Sequence, residues 1–330
     1  MYNKGFFVIE IFVTTLFILI PLIIVIAFYT LIERKLMASI QRRRGPNING
    51  YSGLLQPIID GLKLILKEII IPAKSNMYIF ILAPIFMMSL SFALWSILPF
   101  YSSITLIDTQ FNLLFFLTIS SLNVYNVILS GWSSNSKYAF LGSIRAISQM
   151  LSYELILGLL ILLILSITGS LRIFDIVNYQ IQNISFFFPL LPIAVITFIT
   201  LLAETNRIPF DLPEAESELV AGYNVEYSSI TFTMFFLSEY CNMVAMSTLW
   251  VLLFWSGWGK LGIIYFILKI LFICLFFIFV RALLPRYRFD QLILIGWQVF
   301  LPFTFSIFCF ILGFLLLING LLLPNFIIFL

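Results

Sequence analysis

Long apolar runs separated by short polar connections set the frame of this chain. A helix needs about 20 apolar residues to cross a hydrocarbon core. Runs of that order lie at 6–32, 77–100, 111–132, 147–168, 186–204, 227–256, 261–283 and 292–318. They predict an all-α polytopic membrane protein, a single membrane domain over 1–330 with eight transmembrane helices. The first and sixth runs are long enough to tilt or to project past the bilayer. The first is not a cleavable presequence: it is too long, only Lys4 precedes it as a cation, and further spans follow. The tail beyond Pro324 is too short to cross. No paired repeat of the inverted-transporter kind stands out.

One segment has a different period. Over 54–69 the polar residues Gln56, Asp60, Lys63 and Lys67 recur at helical spacing, and Leu55, Ile58, Ile59, Leu62, Leu66 and Ile69 fill the other face. Pro57 falls where a first helical turn tolerates it. The segment is too short to span and sharply two-faced, so it predicts an amphipathic helix lying in the membrane interface between the first two spans. Packing as a surface helix on the same protein is the alternative the pattern leaves open.

Composition narrows the function classes. Of 330 residues, 62% are hydrophobic and 10% charged. Soluble domains carry about a quarter charged residues, so an ordinary soluble enzyme and a disordered chain are both excluded. There is no histidine, which removes that residue as ligand, base or proton relay. Cys241, Cys274 and Cys309 stand far apart in apolar runs. They cannot supply a four-cysteine cluster or a CxxC zinc site.

The charges are sorted by position. Eight spans put the connections 33–76, 133–146, 205–226 and 281–291 on one side. Of the 18 basic residues, only Lys4, Arg172, Lys260 and Lys269 fall elsewhere. The basic connections therefore face the cytoplasm or a mitochondrial matrix, and both termini face the other way. Their arginine clusters suit topology, anionic lipid heads or acidic protein surfaces.

The acidic residues are more pointed. Glu154, Glu204 and Glu239 sit within or at the end of apolar runs. A charge at membrane depth costs roughly 2.5 kcal/mol or more, so each needs a polar cavity or a partner. A structural ion pair with Arg145, Arg207 or Lys269 is one reading; a proton path is the other. The loop 205–226 carries Asp211, Glu214, Glu216, Glu218 and Glu226 against only Arg207. It also interleaves Phe210, Leu212, Leu219, Val220 and Tyr223, so it reads as docked, not free.

At this point whole segments become familiar. ERKLMASIQRRRGPN, GLLQPIIDGLKLILKE, GWSSNSKYAFLGSIRAISQMLSYE, LAETNRIPFDLPEAESELVAGYNVEY and RALLPRYRFDQL resemble the signature segments of the subunit 1 family of proton-pumping NADH:quinone oxidoreductase, respiratory complex I. The resemblance runs in order from about 33 to 292. It implies a core membrane subunit at the junction with the hydrophilic arm, forming the tunnel for ubiquinone and coupling quinone reduction to proton translocation. It implies no catalytic redox centre on this chain. NADH, FMN and iron–sulfur clusters would belong to partner subunits; the partners would be the other membrane-arm and hydrophilic-arm subunits, with membrane lipids such as cardiolipin. No nucleic-acid partner is expected.

Carried over by position, the tunnel residues would be Arg34, Arg43, Asp60, Glu68, Arg207, Phe210, Asp211, Glu214, Glu216, Glu218, Arg281 and Arg286. Arg288 would extend the basic segment near the hydrophilic arm. The proton path would use Glu154, Glu204, Glu226 and Glu239. Ala215 departs from the glycine that animal members often have there, which narrows the backbone choices of the acidic loop. The composition, rich in Phe, Ile, Leu and Asn, suits a mitochondrial inner membrane, with a bacterial plasma membrane as the alternative. A membrane-anchor subunit of a related hydrogenase or ferredoxin-linked complex is the rival function. A secondary transporter lacks the repeats it would need. A plastoquinone-using counterpart fits the ERK and GPN segments less well.

Overall fold

A computed structural model describes residues 4–101, 105–211, 222–259 and 262–322, with side chains described between 13 and 317. Every regular element among them is helical. The order is α1 (Lys4–Ile40), α2 (Gln56–Leu66), α3 (Met77–Ile97), α4 (Asn112–Ser133), α5 (Lys137–Thr168), α6 (Ile173–Gln182), α7 (Leu191–Glu204), α8 (Ser229–Phe254), α9 (Ile263–Leu283), α10 (Phe289–Leu294) and α11 (Leu301–Leu322). A π-helical stretch, Ile295–Phe300, joins the last two into one rod.

Seven helices are long and apolar enough to cross a membrane: α1, α3, α4, α5, α8, α9 and the α10–α11 rod. The run at 186–204 forms a shorter helix than its apolarity suggests. Phe186, Phe187 and Phe188 lie in turns, and α7 begins only at Leu191, with Pro192 in its first turn. Its 14 residues rise about 21 Å at 1.5 Å each, short of the roughly 30 Å core. Of the eight runs expected to span, seven form helices long enough to cross and the one at 186–204 forms this shorter apolar helix.

Helix α5 differs in the opposite sense. It starts at Lys137, so the connection read at 133–146 shrinks to a turn and the helix carries Arg145 beyond its apolar stretch. Polar residues continue a helix readily once its apolar part is packed, which hydropathy alone does not register.

Helix α8 is the axis of the bundle and touches α1, α2, α3, α6, α7 and α9. Its residues from Met243 to Phe254 are all buried. Small groups such as Ala245, Ser247 and Thr248 let neighbouring backbones approach closely. Helices α4 and α5 pack through glycine. A Cβ on Gly131 would stand 2.3 Å from Ser143 Oγ; Gly142 packs α5 against the turn ahead of α8, where a Cβ would meet Gly222 Cα at 2.9 Å. By contrast α1 and α11 leave large apolar side chains such as Phe17, Phe310 and Leu316 exposed, the outward faces of membrane helices.

The short helix α2 spans 11 residues and buries none of them completely. Its polar stripe is tied to the end of α1. Asp60 accepts a hydrogen bond from Arg34 at 2.6 Å and one from Gln56 at 2.8 Å, and Gln56 accepts one from Asn49 at 2.5 Å. Ile58, Ile59, Leu62 and Ile65 remain exposed. Lys67 and Ile69 fall outside the helix, because the chain turns extended at Lys67.

Candidate functional site

The charged residues of distant segments converge where the ends of α1 and α9 meet the middle of α8. At the centre is Glu33, 6% exposed. One oxygen is paired with Arg281 and lies 3.5 Å from Arg207, and the other accepts the Tyr240 hydroxyl at 2.6 Å. The Arg207 guanidinium also rests over the Tyr240 ring, 4.3 Å from its centroid. One carboxylate thus balances two cations in a pocket made by three helices and a loop. A buried charge persists when it is paired and hydrogen-bonded in this way.

A second pair sits beside it. Arg286 donates to Asp211 at 3.0 Å. Burial lifts the Asp211 carboxyl above the usual carboxylate range, while Arg286, Arg207 and Arg281 pull in the opposite direction without cancelling it. Its Oδ1 has no hydrogen-bond partner among the described residues.

Local backbone contacts explain how the segment after α7 reaches this place. Arg207 N–H bonds the Leu202 carbonyl and Phe210 N–H bonds the Arg207 carbonyl, so the chain folds back over the end of α7. The Gln149 side-chain amide on α5 donates to the carbonyls of Ala203, 2.9 Å, and Phe210, 2.8 Å. Phe210 lies between Tyr153 and Tyr287, with ring centroids 5.8 Å away on each side. Tyr287 N–H in turn bonds the Pro209 carbonyl at 3.1 Å. The Arg207–Asp211 stretch is clamped, as its apolar residues predict.

A cavity of about 470 Å³ opens against the cluster, lined by Glu33, Arg34, Arg43, Arg44, Tyr240 and Arg281 among others. That volume lies within the range of small-molecule sites. The Arg42–Gly45 turn after α1 supplies part of its wall, held by Arg43 N–H on the Ala38 carbonyl at 2.8 Å.

The span carboxylates extend inward. Tyr223 donates to Glu239 at 2.6 Å, and Glu239 lies within electrostatic reach of Arg207 and Asp211. Glu204 is 7% exposed. Its Oε2 has no hydrogen-bond partner among the described residues, and it feels the charge of Glu154 on α5. None of the three carboxylates takes part in a salt bridge seen among the described residues. The simple ion-pair reading of Glu154, Glu204 and Glu239 is therefore not the arrangement found. Arg207 is committed to Glu33, and Arg145 lies over the Phe289 ring.

Of the residues singled out by sequence, the structure brings together Arg34, Arg43, Arg207, Phe210, Asp211, Arg281 and Arg286, with Glu239 adjoining. Asp60 reaches the group through Arg34. Glu68 is exposed beyond the end of α2, and Glu226 is half-buried in the chain leading to α8. Glu214, Glu216 and Glu218 lie outside the described residues. Sequence reasoning missed Glu33, Tyr240 as its partner, and Gln149. The signal for Glu33 was a single acid heading a basic run at the end of a span.

Comparison with known proteins gives one consistent family. A family model described as NADH dehydrogenase matches residues 13–312. NADH-ubiquinone oxidoreductase chain 1 of Chondrus crispus is 48% identical over 325 residues, covering 96% of this chain and 99% of that relative. The Arabidopsis thaliana chain 1 is 50% identical over 299 residues, 88% of this chain and 92% of its own length. A bacterial relative, an NADH-quinone oxidoreductase subunit of Rickettsia prowazekii, is 49% identical over 299 residues, covering 87% of this chain and 88% of its own length.

Proposed function

This chain belongs to the NADH dehydrogenase family as a multi-pass membrane subunit of complex I, and we propose that its charged cavity receives the head group of ubiquinone. The observation that carries the reading is the Glu33 carboxylate shared by Arg207 and Arg281 at the wall of that cavity. Electrons arrive from centres on partner subunits. The chemistry left to this chain is binding, orientation and proton movement.

Reduction of a quinone to a quinol takes up two protons with two electrons. Charge at the head group therefore changes during turnover, and nearby ions respond. Arg34 and Arg43 present N–H donors at the cavity, and the apolar face of α2 offers an entry lip for an isoprenoid tail. Glu33 holds Arg207 and Arg281 as a compact triad. A change of charge beside it shifts how the two guanidiniums divide between Glu33 and the Asp211–Arg286 pair. Arg207 is the link inward, because Glu239 feels its charge. Glu239, Glu204 and Glu154, and Glu226 near the loop, then act as the acid–base groups that pass protons towards neighbouring membrane subunits. In a chain without histidine, carboxylates are the groups suited to this task. Glu68, Glu214, Glu216 and Glu218 complete the proposed set, at the lip and along the loop. The basic connections face the mitochondrial matrix and both termini the intermembrane side. The short α7 counts as the fifth of eight crossings, its start extended by the turns at 186–190. Cardiolipin is a candidate partner of the basic face.

The test is to reconstitute complex I carrying Glu204→Gln and to measure protons pumped per electron alongside quinone reductase turnover. The expected result is turnover within a few-fold of wild type with pumping markedly reduced. Unchanged pumping at unchanged turnover would remove Glu204 from the path.

A further inference from the structure

The face of the bundle opposite the Glu33 cluster holds a second cavity that the quinone reading does not use. It measures about 440 Å³ and lies between α6, the turns after α8 and the first turns of α9. Lys269 in this cavity and Arg281 in the other stand on one helix, 281 − 269 = 12 residues apart. At 1.5 Å per residue that is about 18 Å along the axis, so the two cavities open at opposite ends.

Lys269 donates to the carbonyls of Trp255, 2.5 Å, and Gly257, 3.0 Å, and lies 4.5 Å from the centroid of the Tyr265 ring. An ammonium has three N–H donors, so one remains. No carboxylate among the described residues pairs with it, whereas Arg172, on the same face, is paired with Asp108 and Asp175. Carbonyl dipoles orient a cation but do not cancel its charge. Capping the end of α8 would account for the two carbonyl contacts. It would not account for an open cavity around a net positive charge, with the Ser185 and Ser256 hydroxyls in its wall. Gln180 frames the wall and is fully used: its amide donates to the carbonyls of Leu252 and Leu253, and its oxygen accepts from Ser256 N–H.

The flank of the cavity identifies the kind of anion. Ile264, Leu268 and Phe272 follow one another at four-residue spacing down α9, all more than half exposed. They form an apolar stripe beside Lys269 that runs from the cavity towards the middle of the bundle. A soluble anion has no use for such a stripe, but acyl chains do. We propose that this cavity binds the phosphate of a net-anionic phospholipid through Lys269, with the acyl chains laid along Ile264, Leu268 and Phe272. A zwitterionic head brings its own ammonium and leaves the lysine uncompensated, so the net-anionic lipid is the favoured occupant.

The experiment counts lipids on purified complex I after extensive washing in mild detergent, by native mass spectrometry, for wild type, Lys269→Met and Lys269→Arg. The expected result is one anionic phospholipid fewer on Lys269→Met, with Lys269→Arg retaining it and phosphatidylcholine unchanged throughout. Where Lys269→Met fails to assemble, Ser185→Asp places a competing carboxylate in the wall and is expected to expel the same lipid. Delipidated wild-type complex is then offered inorganic phosphate. Phosphate held in a Lys269-dependent way without any lipid retention would assign the donors to a soluble anion and overturn the lipid proposal. Equal lipid counts in wild type, Lys269→Met and Ser185→Asp would overturn the site and leave Lys269 as the cap of α8.

Discussion

Glu33 joins two arginines and a tyrosine in one buried cluster. Substitution by Gln keeps its shape and removes the charge that Arg207 and Arg281 share. Breaking one side of a buried ion pair costs roughly 3–5 kcal/mol, and the lower end applies because Arg281 keeps a third of its side chain exposed. That is a cost in stability; Glu33 and Arg281 also line the cavity, and loss of a fixed charge at a binding site lowers rates by roughly a hundredfold, so Glu33→Gln is expected to lower quinone reductase activity of the assembled complex by about that factor. Tyr240→Phe removes one hydrogen bond to the same carboxylate but leaves the ring under Arg207. Its loss is expected to be smaller, about tenfold. Equal activities of Glu33→Gln and wild type, assayed with a short-tailed quinone, would show that the triad is structural. Arg286→Gln addresses the neighbouring pair. Arg286 is the first of the charges that hold down the buried Asp211 carboxyl. Without it that carboxyl rises further, the folded loop keeps its proton to higher pH, and the charge appears only above the raised value. If the Asp211 charge serves turnover, the acidic limb of the pH–rate profile moves upward; a superimposable profile would exclude that ionisation from the rate. A raised carboxyl also stabilises the fold below its own pKa and loses that contribution as pH rises through it. The clustering of Arg207, Asp211 and Arg286 was legible in the sequence through family-like segments. Glu33 was not, because an acid inside ERK reads as one more interfacial charge until α8 and α9 bring Tyr240 and Arg281 to it.

Helices obeyed their apolar patterns except where a polar stretch could ride on a packed one or a proline reset the start. Lys137 to Arg145 looked like a connection because hydropathy is an average over neighbours, yet Ala139, Gly142, Ser143 and Ala146 are buried and continue α5 against its partners. The three phenylalanines before α7 looked like span because hydropathy does not distinguish an apolar turn from a helix; Pro189 and Pro192 were the available correction. The place and polar stripe of helix α2 were legible, since amphipathic spacing is a local property, but its end at Leu66 and its attachment through Arg34 to α1 were not. The α4–α5 contact gives a test at this scale. A methyl on Gly131 would overlap the Ser143 side chain, 2.3 Å from its oxygen and 2.5 Å from its Cβ. The two helices must then move apart or Ser143 must leave its rotamer, at a cost of about 1–3 kcal/mol. Gly131→Ala is expected to lower the yield of assembled complex and its thermal midpoint. Ser143→Gly in the same chain removes the obstructing atoms and is expected to restore most of the loss. Failure of that second change to help would place the damage elsewhere than in the close approach.

Across the whole molecule the charges, not the apolar runs, give direction. The cluster built on Glu33 draws its cations from the end of α9 and from the connections 205–226 and 281–291, whereas the other face offers Arg172, just ahead of α6, in a salt-bridged group and Lys269 of α9 on backbone carbonyls. Asp108 shows the contrast. Its exposed carboxyl is held below its usual range chiefly by the hydrogen bond from Arg172, so Arg172 is neutralised there, and Lys269 is the cation of that face left without a carboxylate among the described residues. In the proposed orientation the positive connections are retained on the inner side, with the Glu33 end towards the matrix. Single cysteines report this directly. Asn47 and Asn183 are both exposed, one in the turn region after α1 and one just beyond α6. Three spanning helices, α3, α4 and α5, lie between them in the chain, and an odd number of crossings puts the two positions on opposite sides. Asn47→Cys is expected to react with a membrane-impermeant maleimide only in inside-out vesicles, and Asn183→Cys only in right-side-out mitoplasts, against a background in which Cys309, the exposed native thiol, is replaced by Ser. Reversal of both patterns would invert the orientation and with it the side from which quinone-linked protons are drawn. Labelling of both positions from one side would mean that an even number of crossings separates them, so that one of α3, α4 and α5 does not complete a pass through the membrane.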